Sequence, residues 1–396
     1  MSTMEPCRIP NCPDSDDGAL LMLEPRDAAD LAEIVADAAA AGCKLELRGG
    51  GTKANFGAPR EAEIVSLAGL TGVVDYDPAE LVLTVRAGTL LSEVQALVAS
   101  EGQMLAFEPW GEPSATIGGT MAAGVAGSRR VTAGSARDHL LGLTAVSGRG
   151  EVFVAGAKVV KNVTGYDLPK LMAGSWGRIG AMTELTVKVL PTPREVVTLA
   201  ARGLLPEAAH AAMACALGSN AEVSAAAAVS DGTVLLRVAG FAPSVAARCA
   251  ALPGLLAGHC ALERLEDAAP LWQQAMTGAG LEGAVRWDVH LPPRAAPALI
   301  AALPAGVEWA MDWGGGRVWI ATDAEDDAVR QLAAGLGGEA RLVAAPEAMR
   351  ARIPAFHPRA RGVMALEARV RRAFDPAGVF VTGRFPEDAD ADAVSA

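Results

Sequence analysis

The sequence has six cysteines but no closely spaced pair of them. None belongs to a Cys-x-x-Cys motif; they stand at Cys7, Cys12, Cys43, Cys215, Cys249 and Cys260. Iron–sulfur clusters, structural zinc sites and redox dithiols commonly use such pairs. The spacing therefore argues against these three kinds of site and favours cysteines that act as small buried apolar residues.

Long apolar runs are also missing. No uncharged stretch reaches the roughly 18 to 20 residues that span a bilayer, and the nearest one, residues 113–128, is interrupted by glycines. The first 17 residues are polar and acidic, without the basic start and apolar core of a signal peptide. We therefore expect a cytoplasmic protein.

Clusters of basic residues are absent as well. No run of Lys and Arg is longer than two, and the formal net charge is −12. Nucleic acids and anionic membranes attract basic surfaces, so neither is expected as the main partner. A small anionic ligand would need a local exception to this negative charge.

What the chain does have is length, glycine and an uneven composition. Its 396 residues include 43 glycines and 24 prolines, which suits two or three subdomains with many strands and loops. All six lysines precede residue 190, and five of the seven tryptophans follow residue 271. Pro191 and Pro193 separate the two halves, because alternate prolines cannot continue a central strand.

The apolar periodicity predicts an α+β fold. In the first half it predicts helices over 27–41, ending at Gly42, and 92–100, together with strands over 44–48, 63–67, 81–86, 140–147, 151–154 and 182–190. In the second half it predicts an antiparallel sheet covered by helices, in which a unit that starts near residue 196 is repeated from residue 284. A last helix over 363–374 precedes a tail that need not belong to the middle domain.

Three consecutive glycines follow the predicted strand 44–48, within Arg48-Gly49-Gly50-Gly51-Thr52-Lys53. Residues without Cβ let backbone N–H groups converge on an anion, so this first glycine loop could cradle a diphosphate. The alternative is an ordinary surface turn. The loop is neither a Rossmann fingerprint nor a Walker loop, since the Gly-x-Gly-x-x-Gly and Gly-Lys-Ser/Thr orders are absent.

A second glycine loop spans residues 112–124 and combines Ser114 and Thr116 with Gly118 and Gly119. It predicts a short helix whose N-terminus could face phosphate oxygens. The alternative, a helix of small residues packed in a core, leaves the Ser-x-Thr-x-Gly-Gly run without a reason. The adjacent Arg129-Arg130 pair could offset phosphate charge, or form a solvated face.

A third glycine-containing set covers residues 158–170 and 174–180. Gly177 and Gly180 would let the backbone pass close to a flat ligand, and a plain loop that closes a sheet is an equal alternative. A literal Gly-x-Gly-x-x-Gly over 278–283 follows a predicted helix and precedes a strand, the reverse of the dinucleotide-binding context, so it is interpreted as a loop.

No two of the five histidines have the helical spacing of a metal site. Asp288 and His290 alternate on one predicted strand and therefore share a face, where the carboxylate could orient a general base. A satisfied structural pair is the alternative. The sequence assigns no catalytic residue and predicts no metal site.

Five runs carry a resemblance to a known family. They are Arg-Gly-Gly-Gly-Thr, Ser-Ala-Thr-Ile-Gly-Gly-Thr-Met, Arg-Asp-His-Leu-Leu-Gly-Leu over 137–143, Asn-Val-Thr-Gly-Tyr-Asp-Leu over 162–168 and Gly-Ser-Trp-Gly over 174–177. In order and spacing, the first 190 residues or so resemble the FAD-binding domain of the vanillyl-alcohol oxidase (PCMH-type) flavoproteins. The Lys-Asn-Val-Thr-Gly-Tyr-Asp-Leu run and the short length are most similar to the FAD-binding subunit of bacterial glycolate oxidase.

The resemblance implies three parts: a two-subdomain FAD-binding domain over 1–193, an antiparallel-sheet, helix-covered cap domain over 194–350, and a C-terminal segment over 351–396 that returns to the FAD domain. The closing run over 380–384 resembles the family's Phe-Asn-Pro-Gly-Arg/Lys. Val381 and Thr382 stand in place of Asn and Pro, which puts any contact of that Asn with the flavin in doubt.

The resemblance also implies which residues bind FAD: Arg48, Gly49, Gly50, Gly51, Thr52, Lys53, Pro113, Ser114, Ala115, Thr116, Gly118, Gly119, Gly124, Asp138, Gly180 and Met182. Relatives with covalent flavin carry the attaching histidine in the first glycine loop. Thr52 stands there, so non-covalent FAD is predicted.

The implied function is that of an FAD-binding subunit of a glycolate oxidase complex. Such a subunit would oxidise glycolate, or a similar small 2-hydroxy acid such as D-lactate, to the 2-oxo acid by hydride transfer to FAD. The implied partners are a second flavoprotein subunit and an iron–sulfur subunit, with peripheral membrane association through the complex. Two alternatives stay open: a non-catalytic electron-relay or assembly subunit, and a stand-alone FAD oxidoreductase with another substrate. Related dehydrogenases carry a histidine-based metal site in the cap, and no matching cluster is found in this sequence.

Overall fold

The computed structural model describes residues 22–157 and 165–385. The acidic N-terminal residues, Cys7 and Cys12, and residues 158–164 of the third glycine-containing set lie outside these ranges. Within the described ranges, no helix has the length and apolar character needed to cross a membrane.

The first half of the chain forms two main sheets and six short to medium helices among its described residues. The strands are β1 Met22–Leu23, β2 Leu45–Arg48, β3 Glu63–Ser66, β4 Val73–Asp77, β5 Val82–Arg86, β6 Gln103–Met104, β7 Leu140–Val146, β8 Val152–Gly156, β9 Ala181–Lys188 and β10 Leu190–Pro191. The helices are α1 Ala28–Ala41, α2 Leu91–Ser100, α3 Ile117–Ala123, α4 Arg130–Ala133, α5 Ala136–His139 and α6 Leu168–Met172.

Helix α1 shows how local signals set an element. The Asp27 carboxylate accepts hydrogen bonds from the amides of Ala29 and Asp30, and Gly42 ends the helix in the left-handed conformation at φ 72°. Its apolar stripe packs on a parallel sheet of order β1-β3-β2. The predicted helix over 27–41 is confirmed, and β2 leads directly into the first glycine loop.

A five-stranded antiparallel sheet of order β4-β5-β9-β7-β8 forms the rest of the first half. Strands β7 and β8, both predicted, pair as a hairpin with Val146 opposite Val152. The C-terminal tail returns to this half: Phe380 forms a parallel bridge with Leu45 of β2, and the amide of Val381 donates to the Leu45 carbonyl. The tail therefore lies beside the strand that carries the first glycine loop.

The second half forms one eight-stranded antiparallel sheet and most of the remaining helices. The strands are β11 Glu195–Ala201, β12 Ala225–Val229, β13 Val234–Gly240, β14 Glu263–Leu265, β15 Val285–His290, β16 Glu308–Asp312, β17 Arg317–Thr322 and β18 Glu339–Ala344. The helices are α7 Pro206–Leu217, α8 Ala242–Leu255, α9 Ala269–Thr277, α10 Ala296–Ala301, α11 Ala328–Gly335, α12 Glu347–Arg352 and α13 Arg361–Phe374, with 3-10 turns at Pro293–Ala295 and Trp313–Gly315.

The strand order of this sheet, β14-β11-β13-β12-β16-β17-β15-β18, confirms the predicted repeat. Each half of the sheet is a β-α-β-β-α-β unit, and the second unit follows the first in mirrored order. The two units join where β12 pairs with β16, at Ala228–Met311 and Val229–Ala310. Strands β14 and β18 were not predicted; each completes its unit.

Side-chain alternation gives the eight-stranded sheet two different faces. Helices α7, α8, α10 and α11 cover one face with a continuous apolar core. The opposite face turns towards the first half of the chain. Several contacts hold the halves together. In a partly buried one, Arg237 donates from both terminal nitrogens to the Glu108 carboxylate at 2.7 and 2.8 Å; in a buried one, Ser128 Oγ donates to Asp312 Oδ2 at 2.9 Å.

Candidate functional site

The first and second glycine loops pack directly against each other. A Cβ on Gly49 would lie 2.3 Å from Thr116 Oγ1, and a Cβ on Gly50 would lie 1.5 Å from the Ser114 carbonyl oxygen. Ser114 Oγ donates to the Gly50 carbonyl at 3.0 Å. Two of the three glycines are thus needed for the loops to meet, and the ordinary surface turn is not what this loop forms.

Gly51 differs from its two neighbours. It has φ 70°, and nothing lies within 4 Å of the position that its Cβ would occupy. It therefore presents bare backbone to open space, as a group that approaches a ligand closely must do.

A small cavity of about 80 Å³ lies between the two loops. All six residues of the predicted first-loop set line it, together with Ala115, Thr116 and Gly119 from the second loop. Thr116 also begins α3, because its Oγ1 accepts a hydrogen bond from the Gly119 amide at 3.2 Å. The structure thus brings together nine of the sixteen residues that the resemblance implied.

Two side chains of the first loop have defined partners. Arg48 donates to both carboxylate oxygens of Glu46 at 3.0 and 2.9 Å, and Arg60 also pairs with Glu46. Burial raises the pKa of Glu46, but the hydrogen bonds from Arg48 and Arg60 outweigh it and hold that pKa below its ordinary value. Burial lowers the pKa of Lys53, whose Nζ lies 5.5 Å from the centre of the Trp110 ring.

The C-terminal tail adds a cation to this loop. Arg384 donates from Nη2 to the Lys53 carbonyl at 2.9 Å and stacks 4.9 Å from the centre of a Trp176 ring. Both Arg384 and Trp176 line the small cavity. A residue more than 330 positions along the chain therefore completes the first glycine loop.

A second cavity, of about 1270 Å³, opens between the glycine loops and the eight-stranded sheet. Gly51, Thr52, Lys53 and Trp176 line both cavities, so the two spaces are adjacent. Gly124, which ends α3 at φ 66°, lines the larger one. Small-molecule pockets usually measure roughly 300–1000 Å³, so this space has room for a dinucleotide and a further small ligand.

The wall opposite the glycine loops is built by alternation along three neighbouring strands. Their other face carries core residues such as Trp287 and Ile320. The cavity face carries Arg286, Asp288 and His290 from β15, Arg317 and Trp319 from β17, and Glu339, Arg341 and Val343 from β18. Of this set, only Asp288 and His290 were predicted from the sequence. The same alternation of charged and apolar residues along β15, β17 and β18 is the signal that could have found the rest.

Asp288 is a buried carboxylate at the centre of this wall. It accepts hydrogen bonds from Arg317 Nε at 2.8 Å and Nη2 at 3.2 Å, and His290 Nε2 lies 3.1 Å from Oδ1. Burial raises its pKa, but Arg317 and His290 bring that pKa well below the ordinary value. Burial also lowers the pKa of His290, despite the opposing attraction of Asp288. The imidazole is thus neutral near pH 7.

The remaining predicted residues line neither cavity. Gly118 packs its backbone on Ala87, and Gly180 lies against Met172, beside buried Met182. The Asp138 carboxylate accepts hydrogen bonds from the amide and hydroxyl of Ser135 and begins α5. Pro113 and Ser114 are exposed at the edge of the second loop. Any contact of these residues with a cofactor stays a prediction.

The larger cavity is where comparison with known proteins becomes informative. A family model described as an FAD binding domain matches residues 19–156, which include both glycine loops. Glycolate oxidase subunit GlcE of Escherichia coli K12 is 35% identical over 347 residues, 86% of this chain and 92% of that protein. The chain belongs to the GlcE family of FAD-binding flavoproteins. The predicted resemblance, the α+β fold and FAD as the cofactor are thereby confirmed.

Other proteins resemble this GlcE-family chain over a shorter stretch or at lower sequence identity. A D-lactate dehydrogenase of Anaerostipes hadrus is 37% identical over 136 residues, which is 34% of this chain and 28% of that protein. The structure of an alkyldihydroxyacetonephosphate synthase matches with a TM-score of 0.65 at 15% identity, over 90% of this chain and 76% of that one. This last similarity concerns the fold alone.

The residues of the small cavity fit the FAD that the family binds. Because Gly51 has no side chain, the space next to its backbone is open. Lys53 and Arg384 supply positive charge beside this space. Among the described residues, no group of three or more His, Cys, Asp and Glu side chains is placed to hold a metal ion.

Proposed function

We propose that this chain is the FAD-binding subunit of a glycolate oxidase complex and oxidises a small 2-hydroxy acid, glycolate or D-lactate, to the 2-oxo acid. One observation carries the proposal: a single large cavity joins the glycine loops to a wall rich in arginine. The FAD side of the cavity would supply the oxidant, and the arginine side would attract a small organic anion.

In this proposal, the first and second glycine loops hold the FAD pyrophosphate. Backbone groups at Gly51 and Thr52 would approach the phosphates, while Lys53 and Arg384 offset their charge. Bound FAD supplies a two-electron acceptor for hydride. The absence of histidine at Thr52 supports a dissociable cofactor.

The wall of the cap would act on the substrate. The hydroxyl proton passes to the His290 imidazole, the hydride leaves the carbon that bears the hydroxyl, and a carbonyl forms. Asp288 stabilises the imidazolium that results, and Arg317 holds Asp288 in place. His290 suits this role because it lines the cavity and is neutral before the reaction.

The proposal extends to organisation and partners. We assign an FAD-binding domain to 1–193, a cap to 194–350 and a returning segment to 351–396, which the pairing of Phe380 with Leu45 supports. The word subunit in the name of the Escherichia coli relative supports a complex of several chains. We propose a second flavoprotein subunit and an iron–sulfur subunit as partners, and a cytoplasmic location, including the inner face of the bacterial membrane.

The test is a visible spectrum of the purified chain before and after anaerobic addition of glycolate or D-lactate. We expect flavin absorbance that is bleached by one of the two acids, and flavin that stays in the supernatant after acid precipitation. His290→Gln should slow the bleaching at least tenfold without lowering the FAD content, whereas His259→Gln, outside both cavities, should not.

The other outcomes separate the alternatives. Flavin that neither acid bleaches would refute the proposed oxidation and favour an electron-relay or assembly subunit. Bleaching by a different alcohol or sugar acid alone would favour a stand-alone oxidoreductase. A protein without flavin absorbance after reconstitution would refute the proposed role of the glycine loops.

A further inference from the structure

The larger cavity is a positive region in a negative protein. Eight Lys and Arg side chains and five Asp and Glu side chains line it, whereas the whole chain has 34 basic and 46 acidic residues. This is the local exception that a small anion requires. Such an anion would bind to cations that are not already paired within the protein.

Arg317 is already occupied. Its Nε and Nη2 donate to Asp288, its Nη1 donates to the Met276 carbonyl at 3.2 Å, and its guanidinium lies 4.2 Å from the centre of the Trp319 ring. Asp288 and Arg317 therefore neutralise each other and form a fixed part of the wall.

Arg130 and Arg341 lie near that fixed pair, and neither side chain donates a hydrogen bond to a described residue. The Arg130 guanidinium stacks 4.3 Å from the centre of the Trp313 ring, and its side chain has no hydrogen bond or ion pair with any described residue. Arg341 has one distant ion contact, 3.9 Å from Nη1 to Asp288 Oδ2, and its guanidinium lies 5.8 Å from the centre of the Phe356 ring. Both line the cavity, Arg130 from the first half of the chain and Arg341 from β18.

The charges of these groups influence one another. Burial lowers the pKa of Arg130, and the positive charges of Arg341 and Arg317 lower it further. Burial also lowers the pKa of Arg341, partly offset by Asp288. Asp288 is the main carboxylate that acts on these three guanidinium groups, with smaller contributions from Glu339 on Arg341 and from Asp138 on Arg130. A bound anion would relieve the remaining excess of positive charge.

We propose that Arg130 and Arg341 together form the site that binds the carboxylate of the substrate. The inference rests on the proposed function for the identity of the ligand, a small carboxylic acid. A guanidinium group matches a carboxylate in shape and donates two parallel hydrogen bonds to it. The Trp313 ring contacts the Arg130 guanidinium by stacking. The N–H groups of that guanidinium therefore remain available for hydrogen bonds to a ligand.

In this proposal, each half of the chain contributes one arginine to the site. Arg130 follows the second glycine loop in α4, whereas Arg341 belongs to the eight-stranded sheet. The carboxylate would therefore be held between the part that binds FAD and the part that carries His290. Binding would also position the hydroxyl-bearing carbon between them.

The test measures binding rather than turnover. Oxalate carries two carboxylates and no hydrogen on carbon, so it binds without being oxidised. We expect oxalate titrated calorimetrically into the FAD-loaded chain to bind, and Arg130→Gln and Arg341→Gln each to raise its Kd about tenfold or more. Arg294→Gln, an exposed arginine of the cap that lines neither cavity, is the matched control and should leave the Kd unchanged.

Two readouts keep the inference separate from the proposed function. FAD content, read from the visible spectrum, shows whether each variant is folded and loaded, and Arg130→Lys and Arg341→Lys should restore part of the affinity. Oxalate binding that is equal in wild type and both Gln variants would overturn the inference, as would a loaded wild type that binds no oxalate. Failure of glycolate to bleach the flavin, with arginine-dependent oxalate binding intact, would instead refute the proposed oxidation.

Discussion

Gly50 and Ser114 are in direct backbone contact although 64 residues separate them: Ser114 Oγ donates to the Gly50 carbonyl at 3.0 Å, and a Cβ on Gly50 would lie 1.5 Å from the Ser114 carbonyl oxygen. Real Cβ atoms essentially never come within 3.0 Å of another heavy atom. The glycine is thus required by the neighbouring loop before any ligand is considered.

Gly50→Ala should separate the two glycine loops. Both partners are backbone, so the overlap can be relieved only by moving the chain, and overpacking of this kind typically costs about 1–3 kcal/mol. We expect a lower urea midpoint and a Kd for FAD at least tenfold higher, measured by flavin fluorescence. Gly69→Ala is the control, because nothing lies within 4 Å of that Cβ position. Wild-type FAD affinity in Gly50→Ala would contradict the packing described.

Breaking the ion pair of Glu108 and Arg237 should be strongly destabilising because the pair is largely buried. Removing one partner leaves an uncompensated charge, so Arg237→Met should cost about 3–5 kcal/mol in urea unfolding, while the double variant with Glu108→Leu should recover part of the loss. Burial raises the pKa of Glu108, yet Arg237 holds it below the ordinary value. The stabilisation is therefore present above pH 4.5 and is lost as the pH falls through the lower pKa of the folded state.

The exposed pair of Arg202 and Glu263 provides the comparison. Its side chains are 49% and 59% exposed, and Glu263→Gln should cost about 1 kcal/mol or less. Equal effects of the buried and the exposed pair would show that the contact between Glu108 and Arg237 does not hold the two halves of the chain together.

Asp312 should make the protein less stable as the pH rises. Burial raises its pKa from 3.8 to about 7, although it accepts hydrogen bonds from Ser128 and from the Trp313 amide. Between these two pH values the folded state binds more protons than the unfolded state, so stability falls with rising pH. The full cost, at most about 4 kcal/mol, is present above pH 7.

Asp312→Asn tests this directly because an amide keeps both hydrogen-bonding positions without the charge. The variant should gain stability over wild type as the pH increases from 4 to 8, measured as the difference between their urea midpoints. Asp77→Asn, at an exposed strand end, controls for loss of a carboxylate elsewhere. A difference between Asp312→Asn and wild type that does not change with pH would rule out the raised pKa.

Much of the secondary structure could be predicted from local signals in the sequence. Asp27 and Gly42 bound α1, and the predicted helix over 92–100 matches α2 to within one residue. These predictions succeed because caps, prolines and apolar periods act within a few residues. The alternation that placed Asp288 and His290 on one face is equally local.

Local signals could not predict which distant segments pair with each other. Nothing in the sequence around β12 and β16 indicates that they join two repeats into one sheet, and β18 was missed altogether. Likewise, Arg130 could be interpreted as a phosphate partner or as a solvated residue. Only its stacking on Trp313, 183 positions later, shows that it faces the eight-stranded sheet.

The sequence by itself determined the α+β class, the two glycine loops and the FAD-binding family, because each depends on residue order within short segments. The tertiary structure decided why two of the glycines are needed, which cavity arginines have no hydrogen-bond partner among the described residues, and that one cavity joins the loops to the eight-stranded sheet. Those properties depend on distances between residues far apart in the chain. Those distances result from burial and from the alternation of side chains on three neighbouring strands. They cannot be predicted from the order of residues within a short segment.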